Sequence, residues 1–133
     1  METTISPMLS VRNGSEAIEF YEAAFRAKVL YKLVSADGAV VAKLQVGNGE
    51  LWLADESPEH DNFSPHTLGG SSTRLIMTVD NPDESFDQAV RAGAMVVWPV
   101  ANQPWGWRVG RIADPFGHHW EIGKPLAISN KDR

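Results

Sequence analysis

The chain contains no cysteine among its 133 residues. Disulfide bonds are therefore excluded, as are metal sites built on thiolates, and we expect a cytoplasmic protein. The glycine patterns of a serine-hydrolase elbow, a phosphate-binding loop and a dinucleotide-binding turn do not occur either. The enzyme classes that depend on these motifs are correspondingly disfavoured.

Long apolar runs and excess positive charge are also missing. No stretch approaches the ~20 apolar residues of a transmembrane helix, and the opening METTISPMLS lacks the basic and apolar regions of a secretory signal. The net charge is −5 with scattered basic residues, whereas binding to nucleic acid needs a basic patch. We therefore expect neither a membrane nor a nucleic acid as a partner. The acidic balance favours solubility and a mild preference for cationic ligands.

What the sequence does contain is an internal repeat. Ser10–Asn13 (SVRN) aligns with Thr78–Asn81 (TVDN) at an offset of 68 residues, and the alignment continues without a gap. The matched pairs include Gly38 and Gly106, Gly49 and Gly117, and Trp52 and Trp120. Two copies of one supersecondary unit explain this pattern, and so few copies with so long a period exclude a solenoid. A site between the copies could draw equivalent positions from each.

Each copy is predicted to fold as β-α-β-β-β. An alternating strand over Ile5–Val11 is followed by an amphipathic helix over Glu16–Phe25 with Ser15 as its N-cap, and the second helix is placed at Pro82–Ala92. We predict an α+β fold in which two βαβββ repeats form a curved, eight-stranded mixed sheet with a cleft and two outer helices. The single domain 1–133 divides into repeat one at about 5–55, an irregular linker at 56–72, and repeat two at about 73–124.

The end of repeat two carries a resemblance to a known family. Asp114–Ile122 (DPFGHHWEI), joined to the paired repeats, resembles the vicinal oxygen chelate superfamily of glyoxalases, extradiol dioxygenases, fosfomycin-modifying enzymes and bleomycin-resistance proteins. With the upstream Trp105–Arg111 (WGWRVGR), the ending is most similar to its PhnB-like, glyoxalase/bleomycin-resistance branch. The resemblance covers about residues 5–124 and implies a cleft that holds a small molecule or a divalent metal.

In that superfamily the metal is held by four inward-facing positions, two from each repeat. Position by position, the resemblance transfers these to Ser6 and Leu53 in repeat one and to Arg74 and Glu121 in repeat two. Only Glu121 is a good metal ligand, because arginine has no lone pair to offer and its charge repels a cation. We therefore predict that the metal site is lost, that no cofactor is bound, and that Arg74 and Glu121 form an ion pair.

Other polar residues near the predicted cleft leave alternatives open. Glu121 is either a structural partner in the ion pair or a general base or ligand anchor, although a base needs a raised pKa and the arginine has the opposite effect. Adjacent strand residues point to opposite faces, so at most one of His118 and His119 can reach the cleft. We therefore expect these two histidines in turn and surface positions. The two linker histidines reach the cleft only if the linker folds over it. Arg108 and Arg111 are expected on opposite faces or in ion pairs with surface acids.

The tryptophans separate into two groups. Trp52 and Trp120 lie one residue before the quartet positions, so strand parity predicts that both face the core under the helices. Trp105 and Trp107 flank a glycine beside the cleft, where aromatic rings suit stacking on flat or cationic ligands, with a dimer contact as the alternative. The predicted ligand-binding cleft is lined by Ser6, Met8, Leu53, Arg74, Ile76, Trp105, Trp107 and Glu121.

Three functional hypotheses follow. The first is a homodimeric small-molecule binding protein that sequesters an aromatic or cationic compound, as the resemblance to bleomycin-resistance proteins implies. The second is a lyase or dioxygenase of the same superfamily with a divalent metal, which requires a shifted strand register or ligands from the histidines. The third is a metal-free enzyme that uses Glu121 or Arg74, or an assembly domain. The sequence leaves open whether the repeats pair within one chain or between two.

Overall fold

The computed structural model describes residues 1–127, and over these residues the chain forms eight β-strands, three α-helices and one 3-10 turn. Repeat one contains β1 Met8–Val11, α1 Gly14–Phe25, β2 Lys28–Val34, β3 Val40–Val46 and β4 Gly49–Asp55. The linker contains the 3-10 turn Pro58–His60 and α2 Pro65–Leu68. Repeat two contains β5 Arg74–Thr78, α3 Pro82–Ala92, β6 Met95–Asn102, β7 Trp107–Ala113 and β8 His119–Pro125. No helix in this part of the chain is long and apolar enough to cross a membrane.

The strands form two four-stranded sheets, in the orders β1-β4-β3-β2 and β5-β8-β7-β6. The first strand of each repeat runs parallel to the last, and the other neighbours are antiparallel, so both sheets are mixed. The predicted α+β class and the two βαβββ repeats are confirmed. The eight strands divide into two sheets rather than continuing through one. The linker is not wholly irregular, because Ser64 caps α2 and Pro65 occupies its first position.

Asparagine side chains start both long helices. Asn13 and Asn81 each accept a hydrogen bond from the backbone N–H three residues later, at 3.1 and 3.2 Å. The predicted cap Ser15 is wrong, because Asn13 holds the extended backbone of a cap residue and the helix already begins at Gly14. The second helix runs over Pro82–Ala92 as predicted.

The two repeats contact each other through their helices. α1 packs against α3, and the Gln88 amide donates to the carbonyl of Ala23 at 2.9 Å. Tyr21 and Phe25 on α1 lie against Trp120 on β8, with ring centroids 5.6 and 4.6 Å apart. These contacts join the apolar sides of both sheets into one core.

A buried carboxylate reinforces this junction. Oδ2 of Asp114 accepts hydrogen bonds from the Tyr21 hydroxyl at 2.5 Å and from the Trp120 indole N–H at 2.8 Å. Its Oδ1 accepts the backbone N–H groups of Phe116 and His118 at 2.9 and 3.0 Å. Burial, and next the Asp114 charge, raise the pKa of Tyr21 well above its usual value, which keeps the hydroxyl a donor. Tyr21 belongs to repeat one and the other residues to repeat two, so the network links the repeats.

The strand ladders show that the repeat alignment needs a gap. Leu44 pairs with Leu51 in the first sheet, and Ile112 pairs with Trp120 in the second. Leu44 and Ile112 are 68 residues apart (112 − 44), but Leu51 and Trp120 are 69 apart (120 − 51). The β7–β8 hairpin is therefore one residue longer than the β3–β4 hairpin, and the structural equivalent of Glu121 is not the residue that the gap-free alignment assigned.

Because of this difference of one residue, Leu53 and Trp52 on β4 each lie on the opposite side of the sheet from the one predicted. Side chains alternate along a strand, so a shift of one residue moves each of them to the other face. Leu53 is fully buried in the core, and its predicted place in the cleft is wrong. Trp52 lies opposite the core, beside Tyr31 and Lys43, and its predicted core position is wrong. Trp120 is in the core as predicted.

The side of each sheet turned away from its helix is called the open face here. Met8 and Trp52, which pair across β1 and β4, lie on the open face of the first sheet. Ile76 and Glu121, which pair across β5 and β8, lie on the open face of the second. The ladders make these two pairs structural equivalents. One face therefore carries a tryptophan where the other carries a carboxylate.

Candidate ligand-binding site

A row of side chains crosses the open face of the second sheet. Trp98 on β6 pairs with Arg111 on β7, and Arg111 pairs with Glu121 on β8. Glu121 pairs in turn with Ile76 on β5. Both neighbours of Glu121 along β8 are buried in the core, so the alternation of the strand directs Glu121 to the open face.

Glu121 is held between two arginines. The predicted ion pair with Arg74 is present, with 2.7 Å between Nε and Oε2. Arg111 donates from Nη2 to the same oxygen, also at 2.7 Å. The Glu121 side chain is only 15% exposed, and the guanidinium of Arg111 lies over the Trp98 ring at 5.6 Å from the centroid. The cluster therefore has two positive charges and one negative charge on a partly dry surface.

An open cavity of about 250 Å³ lies directly beside this cluster. Its lining consists of Ile76, Trp105, Trp107, Val109 and Glu121. Four of these five belong to the predicted cleft, and a fifth predicted residue, Arg74, contacts Glu121. The walls are apolar or aromatic, and the charged cluster stands at one end. Such a shape suits a flat molecule with a polar end.

The tryptophans are presented by a tight hairpin between β6 and β7. The N–H of Gln103 donates to the carbonyl of Trp107 at 2.7 Å, and the N–H of Gly106 donates to the carbonyl of Gln103 at 3.0 Å. Gly106 has a φ of 90°, which only glycine adopts without strain. Trp105, at the tip, is 64% exposed. The N–H of Leu126 donates to the carbonyl of Gly106 at 2.8 Å and anchors the loop to the chain after β8.

Sequence reasoning missed Val109 as part of the cavity and Arg111 as part of the cluster. Both follow from a residue that it did select, because Trp107, Val109 and Arg111 alternate along β7 and share one face. Arg108 lies on the other face, as expected, and makes hydrogen bonds of 2.8 and 2.9 Å with Asp83. Those hydrogen bonds lower the pKa of Asp83. Arg111 is therefore the basic residue that β7 presents to the site.

Three predicted residues lie away from this cavity. Ser6 and Met8 belong to the start of repeat one, and Leu53 is in the core. The open face of the first sheet has its own cluster, in which Lys43 lies 5.4 Å from the centroid of the Trp52 ring. The lining of this cavity comes from repeat two alone. A separate cavity of about 380 Å³ does lie between the repeats, and its lining includes Pro7, Leu51, Ile76 and Trp120.

The histidines also lie elsewhere. His118 is buried in the turn before β8, where its Nε2 lies 2.9 Å from the carbonyl oxygen of Ser10. His66 is similarly placed 2.9 Å from the carbonyl oxygen of Pro115. His60 is exposed in the linker beside Ser57. His118 therefore links the two repeats. It lies in a turn but is buried, so the predicted surface position is wrong. His66 links the linker to repeat two.

The residues at the superfamily metal positions do not fit a divalent ion. Divalent ions require several oxygen, nitrogen or thiolate donors around one point. Ser6 and Arg74 supply no carboxylate or imidazole, and Glu121 is already engaged by two guanidinium groups. Leu53, the predicted fourth position, is buried in the core, and Trp52, the structural equivalent of Glu121, offers no oxygen, imidazole or thiolate. Within residues 1–127, no three histidine, cysteine, aspartate or glutamate side chains are grouped to hold a metal.

The paired βαβββ repeats and the cavity beside the last strand define a class of small α+β proteins. The family model of the Glyoxalase/Bleomycin resistance protein/Dioxygenase superfamily matches residues 5–122 of this sequence. The chain belongs to that superfamily.

The chain is also similar to individual proteins of known sequence or structure. An uncharacterized protein of Mycobacterium bovis is 38% identical, over 99% of this chain and 90% of the relative. The structure of a gene product from Arabidopsis thaliana is similar with a TM-score of 0.74 and 25% identity, covering 93% of this chain and all of that one. TioX from a Micromonospora species is similar with a TM-score of 0.70 and 24% identity, over 96% of this chain and 100% of TioX.

Proposed function

We propose that this chain is a small-molecule binding protein that holds a flat aromatic compound in the cavity beside Glu121. The observation that carries the proposal is the pairing of Trp105 and Trp107 with an apolar floor at Val109, next to a fixed ion cluster. An aromatic body would bury against the rings, and the cluster would orient its polar end. The presence of bleomycin-resistance proteins in the superfamily supports binding without chemistry.

The proposed site works without a metal or other cofactor, because Glu121, the one carboxylate that residues 1–127 contribute to the cavity lining, is paired with Arg74 and Arg111. The preference for cationic ligands expected from the net charge is not part of the proposal. Two guanidinium groups against one carboxylate repel a cation at this position, whatever the charge of the whole chain.

Isothermal titration calorimetry with naphthalene-2-carboxamide, an uncharged flat probe, tests the proposal. The wild-type chain is expected to bind it, and Trp107→Ala is expected to weaken binding about tenfold, because an aromatic wall contributes on the order of 1.4 kcal/mol. Phe63→Ala is the matched control, since Phe63 carries an exposed ring in the linker. Equal affinities for the wild type and Trp107→Ala would overturn the proposed location.

The alternative function is a metal-dependent lyase or dioxygenase. It is supported by the name of the superfamily, which includes glyoxalases and dioxygenases. Elemental analysis of the untagged protein, after incubation with manganese, iron, nickel or zinc, separates the two functions. We expect less than one tightly held ion per chain and no effect of a chelator on binding of the carboxamide probe. One ion per chain, with chelator-sensitive activity on a catechol or on a thiol adduct of an α-ketoaldehyde, would establish the alternative.

The proposal includes a homodimer. All seven residues of β2 are exposed, and β2 is the edge of the first sheet. β6, at the edge of the second sheet, exposes Met95, Val96 and Val97. Apolar edge strands with unpaired backbone groups are ready to associate, and a second copy of the chain offers complementary edges of the same kind.

Sedimentation velocity tests this association. Leu33→Glu places a charge on the exposed edge strand β2 and is expected to shift the protein from dimer to monomer. Leu68→Glu is the matched control, because Leu68 is an exposed leucine in the linker helix α2. A monomeric wild type, or a dimer that Leu33→Glu leaves intact, would contradict the proposed interface.

Three further assignments belong to the same proposal. The similarity of Trp105–Arg111 and the DPFGHHW ending to the PhnB-like branch supports placing the chain there. A cytoplasmic setting is supported by the lack of cysteine. The scattered basic residues support a small-molecule partner over a nucleic acid.

A further inference from the structure

The two arginines beside the cavity have unused hydrogen-bonding capacity. Within residues 1–127, Arg111 makes one hydrogen bond, from Nη2, and Arg74 meets Glu121 only as an ion pair through Nε. Nε of Arg111 is buried and has no partner in the same part of the chain. A guanidinium carries five N–H donors, and a buried donor without an acceptor is unfavourable. The cluster therefore has more donors than acceptors.

The charge of the cluster is also unbalanced. One carboxylate faces two guanidinium groups, and both contacts converge on Oε2. The chain as a whole has a net charge of −5, so the surplus positive charge is local to this site. Arg74 is 57% exposed and therefore accessible from solvent. Arg111 is held in position by the Trp98 ring, which leaves its fork preorganised.

The geometry points to a carboxylate on the aromatic ligand as the missing acceptor. This inference rests on the proposed function, because it concerns the polar end of the molecule that the cavity holds. The ring system would lie between Trp105 and Ile76. The carboxylate would accept from the Nη groups of Arg74 and from Nη1 of Arg111, which Glu121 leaves unused, whereas the buried Nε of Arg111 is out of its reach. Arginine forks match carboxylates in shape, and charge-assisted hydrogen bonds are about twice as strong as neutral ones.

Glu121 has two opposed effects on the binding of an anion. Its carboxylate holds both arginines in position, but it also repels an incoming anion. Replacing it with the neutral isostere in Glu121→Gln should therefore strengthen binding of a carboxylate. The like charge at roughly 5 Å gives an increase of about fourfold at the dielectric constant of bulk water, and the partial burial of Glu121 makes this a lower bound. A purely structural role for Glu121 predicts weaker or unchanged binding instead.

Three probes with one ring system test the inference by calorimetry at low salt: naphthalene-2-carboxylate, naphthalene-2-carboxamide and 2-naphthylmethylammonium. The wild-type chain should bind the carboxylate about tenfold more tightly than the carboxamide, and the ammonium most weakly. The preference should shrink in 0.5 M salt, because the cluster is partly exposed. If the carboxamide binds and the carboxylate binds no better, the anion inference fails and the proposed function stands. If no probe binds, both fail.

Variants assign the preference to residues. Arg74→Gln and Arg111→Gln should each abolish most of the carboxylate preference, measured as the ratio of the carboxylate and carboxamide affinities of the same variant. Arg12→Gln is the charge-matched control, because Arg12 is an exposed arginine paired with Glu56 in the linker. Arg74 is exposed, so its variant remains informative even if Arg111→Gln folds poorly. A preference that survives in both site variants, or falls equally in Arg12→Gln, would overturn the inference.

Discussion

Replacing Tyr21 with phenylalanine removes the hydroxyl group from a buried hydrogen bond to Asp114. The Tyr21 side chain is completely buried, and Asp114 is only 4% exposed. Without the hydroxyl, Oδ2 of Asp114 keeps a single hydrogen bond, from the Trp120 indole N–H. A buried carboxylate that loses a donor and cannot reach water is destabilised by about 1–3 kcal/mol. The Tyr21→Phe variant should lose that amount of folding free energy.

Urea unfolding followed by circular dichroism measures the effect. We expect a lower midpoint with an unchanged slope, and a melting temperature lower by about 3–5 °C for each kcal/mol. Tyr31→Phe is the matched control, because the Tyr31 side chain is 48% exposed. Asp114→Asn should be at least as damaging as Tyr21→Phe. Its NH2 group would face either the Trp120 indole N–H, which cannot accept, or the backbone N–H groups of Phe116 and His118.

The pH dependence follows from the raised pKa of Tyr21. Burial and the Asp114 charge favour the protonated hydroxyl in the folded state. A group whose pKa is higher in the folded state contributes its full stability below the unfolded pKa, about 10 for tyrosine. That stability is lost as the pH rises from there towards the folded pKa. The wild type should therefore lose its advantage over Tyr21→Phe above about pH 10. Equal destabilisation by Tyr31→Phe, or a pH-independent difference, would refute the reasoning.

Three further predictions concern the sheets. Leu53→Ala should cost about 2–5 kcal/mol in urea unfolding, whereas Trp52→Ala should cost much less, because only Leu53 is in the core; the reverse order would contradict the register. Gly123→Ala should cost about 1–3 kcal/mol, since its Cβ would lie 2.5 Å from a carbonyl oxygen, while Gly70→Ala, in open space, should be neutral. Glu121→Gln should lower stability by about 1 kcal/mol, and an unchanged unfolding midpoint would show that the ion cluster is not stabilising.

Much of the fold could be predicted because its signals are local. A proline at the first helical position placed α3 at Pro82–Ala92, as observed. The ion pair between Arg74 and Glu121 followed from the resemblance and the chemistry of the side chains. These features depend on neighbouring residues or on the turn at Asp114–Gly117, which sequence alone reports well.

The features that escaped prediction depend on contacts between elements. Arg111 reaches Glu121 only because β7 pairs with β8 in one particular register. The hydrogen bond from Tyr21 to Asp114 spans 93 positions of the chain and has no periodic signal. The face assigned to Leu53 was wrong because no composition signal reports the length of a hairpin to within one residue. Parity arguments are reliable within a strand and fail across a turn.

The unequal hairpins have a consequence for how such duplicated folds acquire different chemistry. One additional residue in the β7–β8 turn brings Glu121 to the open face, while the shorter β3–β4 turn brings Trp52 to the corresponding place. The content of a surface can therefore change through an insertion in an exposed loop, with no substitution in any strand. An alignment of the two halves of this chain that has no gap compares buried side chains with surface ones. A gap in that turn restores the correspondence.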